Sequence, residues 1–211
     1  MIINKKHIIF DWNGTLINDA FVFVNILNAL LEKRNLEKID LKKYRELFCF
    51  PIKDFYKKIG IDVSDKSFER LRVEFIREYN KRKYDASLFL ETRSVLKKLS
   101  TMGLSLSILS ASNQVMLDDL TKYYSINKYF DFIFGVDNYI ADGKVETGKK
   151  LIKKIDCNRD KIILIGDTDH DYEVAQNLNI DCLLISHGHQ SGGRLRDVSQ
   201  NVIKNFNQLF E

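Results

Sequence analysis

The sequence predicts an α/β fold: a parallel sheet covered by helices on both faces, with an all-helical block inserted after the first strand. Three observations carry this. Brief apolar runs recur along the chain, each bounded by polar residues or glycine. Helix-like segments alternate with them. Between about 17 and 86 the strand-like runs give way to helical periodicity alone.

The strand candidates are His7–Phe10, Leu104–Leu109, Phe130–Phe134, Ile162–Ile165 and Cys182–Ile185, rich in Ile, Leu or Phe. Near-continuous apolar strands are the mark of a sheet buried on both faces, as in Rossmann-like parallel sheets. Between them Thr92–Met102, Met116–Tyr124, Val145–Ile155 and Asp171–Leu178 show helical spacing, and Gly103 is a good stop for the first. In the 17–86 stretch, Phe21–Lys33, Leu41–Phe48, Lys53–Ile59 and Lys66–Lys83 read as helices. Leu71, Phe75 and Tyr79 recur every four residues along one helical face. The expected division is therefore a core of residues 1–16 and 87–211, with a helical cap at 17–86.

The 211 residues suffice for one core domain with an insertion. With 33 basic against 29 acidic residues, the net charge is +4, and the basic residues are scattered rather than striped, which argues against a nucleic-acid partner. No run approaches the roughly 20 apolar residues needed to span a bilayer, so no membrane partner is expected. The first 14 residues hold only a short apolar run, unlike a signal peptide. Cys49, Cys157 and Cys182 are odd in number and lack CxxC spacing, which suits a reducing cytoplasm rather than a disulfide framework or zinc site.

Ligands of open α/β sheets gather at the carboxyl ends of the strands. Asp11, Asn13, Gly14 and Thr15 follow the first apolar run; Ser110, Ala111 and Ser112 follow the second. Lys144 precedes a helix, and Gly166-Asp167-Thr168-Asp169-His170-Asp171 follows the IILI run. This inventory fits phosphoryl transfer. A carboxylate such as Asp11 can form an acyl phosphate. A carboxylate approaching an anionic phosphate needs charge neutralised, which Mg²⁺ does with hard oxygen ligands such as Asp11 and Asp167. Ser110 and Lys144 can hold phosphate oxygens, and backbone N–H groups near Gly14 can complete the cradle. Ser110 could instead cap a helix, Lys149 or Lys150 could replace Lys144, and Asp169 could replace Asp171.

The order DWNGT, ILSAS, a lysine and GDTDHD resembles the four motifs of the haloacid dehalogenase-like superfamily, and the insertion resembles its C1-type helical cap. The similarity is to phosphoglycolate phosphatase-like members. It implies Asp11 as nucleophile and Mg²⁺ ligand, with Asn13 offering its backbone carbonyl to the metal and Thr15 supporting the loop. Ser110 would bind the phosphoryl group, Lys144 would balance its charge, and Asp167 and Asp171 would complete the metal site. The substrate expected is a small phosphorylated metabolite.

Asn13 departs from the family pattern, which places an aspartate there as general acid and base. An amide cannot exchange protons in that way, and positioned proton transfer is worth roughly 10²–10⁴-fold. Asn13 therefore points to a slow phosphatase, a long-lived phospho-enzyme, a good leaving group, or a phosphate-sensing domain on a disabled enzyme. His170, His187 and His189 are alternative proton carriers. A dehalogenase-like member would carry an aromatic at position 13. A phosphonoacetaldehyde hydrolase-like member would carry a small residue there and a Schiff-base lysine from the cap; Lys53, just after Pro51, is a candidate by position but matches no motif. The aromatic segment Leu47–Tyr56 reads as cap packing or as a substrate contact, and Gly188–Gly193 as a loop bordering the site.

Overall fold

The computed structural model describes residues 2–136 and 143–210. The central sheet has six parallel strands: β1 (His7–Phe10), β4 (Ser105–Asn113), β5 (Phe132–Val136), β6 (Ile162–Gly166), β7 (Asp181–Ile185) and β8 (Val202–Ile203). Their order is β5-β4-β1-β6-β7-β8, with β1 in the middle, hydrogen-bonded to β4 and β6. The order reverses beside β1, a switch point that brings the carboxyl ends of β1, β4 and β6 together.

Alternation along the strands divides the core. Ile8 and Phe10 of β1, Ile163 and Ile165 of β6, and Leu183 and Ile185 of β7 point into one apolar cluster. Ile9, Ile162, Leu164, Cys182 and Leu184 point into the other. Both faces are therefore covered, which is why these strands read as continuous apolar runs. The covering helices are α5 (Thr92–Thr101), α6 (Gln114–Tyr123), α7 (Lys144–Ile152), α8 (Asp169–Leu178) and α9 (Gly192–Val198).

Four helices lie between β1 and α5: α1 (Ala20–Glu32), α2 (Leu41–Leu47), α3 (Ile52–Lys58) and α4 (Asp65–Arg82). A two-stranded antiparallel ribbon, β2 (Ile17–Asn18) with β3 (Ser87–Leu88), ties together the two ends of this segment. Phe23 of α1 packs edge-on against Phe75 and Tyr79 of α4, with ring centroids 5.2 Å apart in both cases. Ile26, Leu27, Tyr44 and Leu71 join the same apolar cluster as one face of the sheet.

The segment read as helical alone contains β2, β5 runs two residues later than Phe130–Phe134, and α7 opens at Lys144 rather than after it. Two further differences concern β4 and α9. The second strand continues four residues past Leu109 to Asn113, with a register shift against β5, so Ser110 lies in the strand rather than after it. Ladder bonding needs backbone groups rather than apolar side chains, and the hydrophobic pattern ends before the pairing does. Second, Gly192 and Gly193 open α9 instead of extending a loop, with Ser191 accepting from the Arg194 N–H. Two glycines are poor helix formers, and the cap outweighs them.

His7 opens β1, is 3% exposed, and bonds Ser107 Oγ through Nε2 at 2.7 Å. Burial, against a smaller upward pull from Asp131, lowers its pKa from 6.5 to about 4. The unfolded chain therefore binds a proton that the folded chain refuses between those values. Stability is full above pH 6.5 and falls as pH drops toward 4, by up to about 3 kcal/mol from this residue. Thermal melts from pH 7.5 to 4.5 check this, and His7→Gln is expected to flatten the slope.

Candidate active site

The site is assembled from the carboxyl ends of β1 and β6, the end of β4 and the first turns of α7 and α8. Asp11 leaves β1, its backbone N–H bonded to the Ile165 carbonyl at 2.9 Å. Lys144, the first residue of α7 and 3% exposed, places its ammonium between Asp11 Oδ1 and Asp171 Oδ1, the latter at 2.6 Å. Asp171 is fixed by the start of α8: the Thr168 side chain accepts from the Asp171 N–H, and Asp171 Oδ2 accepts from the Thr168 N–H and hydroxyl at 3.0 and 2.7 Å. This capping box explains the Thr-x-x-Asp spacing.

Asp167 is fully buried. Its Oδ1 accepts from Thr15 Oγ1 at 2.9 Å and its Oδ2 from the His189 N–H at 2.6 Å. Each of Asp11, Asp167 and Asp171 offers an oxygen within 4.8 Å of the others. Three carboxylates thus face one ammonium, leaving two negative charges in excess when all are ionised. Burial pushes the Asp11 carboxyl up to about 8, ahead of the opposing pull of Lys144. Burial likewise raises Asp167 to about 6, against the pull of His189. Asp171 is also penalised by burial, but Lys144 outweighs this and holds it below the ordinary range. Lys144 is held above its ordinary value, because the two carboxylates outweigh its own desolvation. Hard oxygen donors with uncompensated negative charge fit a divalent cation of the Mg²⁺ type.

The loop after β1 turns through Gly14 at φ +75°. A Cβ there would stand 2.2 Å from Asp167 Oδ2 and 2.4 Å from His189 Cδ2. Gly14→Ala is expected to cost at least about 2 kcal/mol in urea melts, combining strain with collision. Gly103→Ala is the control: φ is +77° but nothing lies within 4 Å, so it should cost only about 1–2 kcal/mol.

Asn13 does not point freely at the carboxylates. Its amide N–H₂ donates to Asp19 Oδ2 at 2.6 Å and to Tyr79 Oη at 3.1 Å, and its Oδ1 accepts from Ser112 Oγ at 2.6 Å. Asp19 is the hub, fully buried, also accepting from the Gly14 N–H, from Tyr79 Oη and meeting His189 Nε2 at 3.1 Å. His189 Nδ1 in turn bonds Tyr44 Oη at 2.7 Å. Asp19 holds the His189 pKa up against the lowering effect of burial. Sequence alone gives Asp19 and Tyr44 no role in the site and places Tyr79 only on an apolar helical face. Asp19 stands directly before α1 and reads there as an ordinary helix cap, yet its side chain caps nothing in that helix.

The other expected residues fall as follows. Ser110 is buried in β4 and accepts from the Ser112 N–H at 3.0 Å. Asp11, Asn13, Ala111, Ser112, Lys144 and Asp171 line one cavity. Lys149 is exposed and paired with Glu146 at 2.6 Å, and Lys150 is exposed, so Lys144 alone of the three joins the cluster. Asp169 turns away to Arg194, at 2.9 Å. His187 stacks on Phe89 at 3.6 Å and bonds the Thr15 carbonyl; burial takes it down to about 4. Lys53 pairs with Asp65 at 2.9 Å. The cysteines are unpaired. Among the described residues, no helix is long and apolar enough to cross a membrane.

A lysine-bridged acidic centre thus lies at the switch point of an open parallel sheet in an α/β protein. A family model described as haloacid dehalogenase-like hydrolase matches residues 8–185, and the chain belongs to that family. A phosphoglycolate phosphatase from Aquifex aeolicus is 23% identical over 193 residues, covering 86% of this chain and 85% of its own. The pyrophosphatase PpaX of Listeria welshimeri is 24% identical over 176 residues, covering 81% and 78% respectively. A haloacid dehalogenase-like family hydrolase from Streptococcus pneumoniae shares the fold at TM-score 0.83 and 20% identity, covering 98% of this chain and 97% of its own.

Proposed function

We propose that the chain is a Mg²⁺-dependent phosphatase that hydrolyses a small phosphorylated metabolite through an aspartyl-phosphate on Asp11. The observation that carries this is the placement of Lys144 between Asp11 and Asp171, with Asp167 in the same cluster and Asp11 at the floor of a cavity. A carboxylate oxygen of Asp11 attacks phosphorus, the bond from phosphorus to the leaving oxygen breaks, and the released alkoxide takes a proton from solvent water, since Asn13 cannot give one. Water then attacks the acyl phosphate and frees Asp11 and inorganic phosphate. Lys144 favours the ionised nucleophile and neutralises a phosphoryl oxygen. Ser110 and the Ala111 backbone hold the remaining oxygens, and Thr15 and Asp171 keep the acidic cluster in place. Asp11, Asp167, Asp171 and the Asn13 carbonyl would hold Mg²⁺, which when bound would supply positive charge to polarise the phosphoryl group. Residues 17–86 act as the cap that roofs the cavity and excludes water, over a core of 1–16 and 87–211.

The test is phosphate release from p-nitrophenyl phosphate and a panel of sugar and organic-acid phosphates, with Mg²⁺ and with chelator. Turnover lost more than about 100-fold in chelator supports the reading; turnover indifferent to chelator contradicts it.

One observation favours a second reading, a phosphate-binding protein with little turnover: Asn13 cannot exchange protons and is tied by three hydrogen bonds. Asn13→Asp would set a carboxylate within 2.6 Å of Asp19 Oδ2, where like charges hold one proton up to higher pH. That shared proton is a usable acid. Asn13→Asp is expected to raise turnover at least about tenfold while lowering the melting temperature. Turnover in Asn13→Asp with none in wild type would establish the second reading.

A further inference from the structure

The cavity above Asp11 is larger and more apolar than a phosphorylated acid or pyrophosphate requires. Its volume is about 410 Å³, within the range that encloses whole drug-sized molecules. The sheet side contributes mainly polar residues, among them Thr168, His170 and His189, while most of the remaining wall comes from the helical segment, with Phe23, Phe50, Ile52, Phe75 and Ile76 all only half-buried. The Phe50 ring lies against that of His170 at 4.6 Å and 30°, forming a flat aromatic ledge beside Asp171. Among the described residues, Asp11 and Asp171 are the only carboxylates that line the chamber. Its two far cations already meet acids, Lys53 with Asp65 at 2.9 Å and Arg72 with Glu69 at 2.8 Å.

Such walls offer a polyhydroxy or carboxylate leaving group few partners, and burying polar groups without partners is unfavourable. They suit a ring, which buries much area and packs edge-on or offset against other rings. We propose, on the phosphatase reading above, that the substrate is the phosphate monoester of an aryl or arylalkyl alcohol. Its ring occupies the chamber between the Phe50–His170 ledge and the Phe23, Phe75 and Ile76 wall. The phosphorus is thereby presented to Asp11 with the leaving oxygen on the opposite, chamber side, while the apolar walls exclude water from the acyl phosphate.

The test has two arms on the full chain with Mg²⁺. In the first, calorimetry compares two inert phosphonates, benzylphosphonate and phosphonoacetate. Benzylphosphonate is expected to bind about 100-fold tighter, from the ring area it buries. In the second, kcat/KM is compared for 2-phenylethyl phosphate, glycerol 3-phosphate and 2-phosphoglycolate, all unactivated alkyl esters. The aromatic ester is expected to lead by about 100-fold. Ile76→Gln and Phe50→Ala, each checked for unchanged melting, should cut the preference for benzylphosphonate about tenfold. Equal or reversed phosphonate affinities, or no binding of either, would overturn the proposal. Aromatic preference in binding with no release from any ester would leave the chamber's role standing and remove the phosphatase reading instead.

Discussion

Asp11→Asn is expected to reduce Mg²⁺-dependent phosphate release by about 10⁴-fold or more, the scale seen when a covalent nucleophile is removed. The amide oxygen is neutral and cannot form the acyl phosphate, yet the side chain has nearly the same shape. Lys144 keeps Asp171 as a partner at 2.6 Å, so the variant does not strand a buried ammonium. Burial already favours the neutral form of the Asp11 carboxyl, pushing it up to about 8, so a neutral amide of the same shape is tolerated there. The variant's melting temperature should therefore be no lower than that of wild type in chelator. Lost turnover with an intact melt separates a chemical role from a structural one. A variant within tenfold of wild type would show that Asp11 is not the nucleophile.

The largest effect on stability is expected at Asp19. Asp19→Ala leaves the Gly14 N–H, the Asn13 amide, Tyr79 Oη and His189 Nε2 without their shared acceptor inside the protein. Breaking a buried charged hub by removing one partner typically costs about 3–5 kcal/mol. Tyr79→Phe removes a single donor and should cost about 1 kcal/mol. Asp19→Asn should fall between them, because one carboxamide end must turn an N–H₂ toward groups that already donate. Urea melts of the three variants check the order. Equal small losses would mean that the network is replaced by water. Tyr44 and Tyr79 come from α2 and α4, while His189 also holds Asp167 through its backbone. The same variants should therefore loosen the helical segment's grip on the acidic cluster.

The sheet was legible because burial on both faces leaves unbroken apolar runs: HIIF, IILI and CLLI each mark a strand to within a residue. The end of β4 was not, since Ser110 through Asn113 pair by backbone alone. β2 and β3, two residues each, carry too few side chains for any period. Within the site, the residues joined by short local rules could be read from sequence. Gly14 stands where φ must be positive, and Thr168 and Asp171 have capping-box spacing. Lys144 was separable from Lys149 and Lys150 by its position at the helix start, which the buried ammonium matches. What sequence could not supply is long-range pairing. Tyr79 reads as an apolar-face residue and Tyr44 carries no local signal, and only the fold brings their hydroxyls to Asp19 and His189. Nor could the sequence decide what the aromatic residues of Leu47–Tyr56 do: Phe50, Phe55 and Tyr56 pack in the apolar cluster and also line the cavity, with Phe50 alone of the three left half-buried.

The covalent role of Asp11 is tested most directly by trapping. Wild type mixed with a turnover substrate and Mg²⁺, then quenched in acid within the first turnover, is measured by intact mass and peptide mapping. The expected result is a fraction of the chain heavier by one phosphoryl group, labile to hydroxylamine, mapped to the peptide holding Asp11 and absent from Asp11→Asn. With no proton-exchanging side chain at position 13, that fraction should persist into the steady state. Turnover without any phosphorylated chain at the earliest times, or label on another residue, would contradict the account.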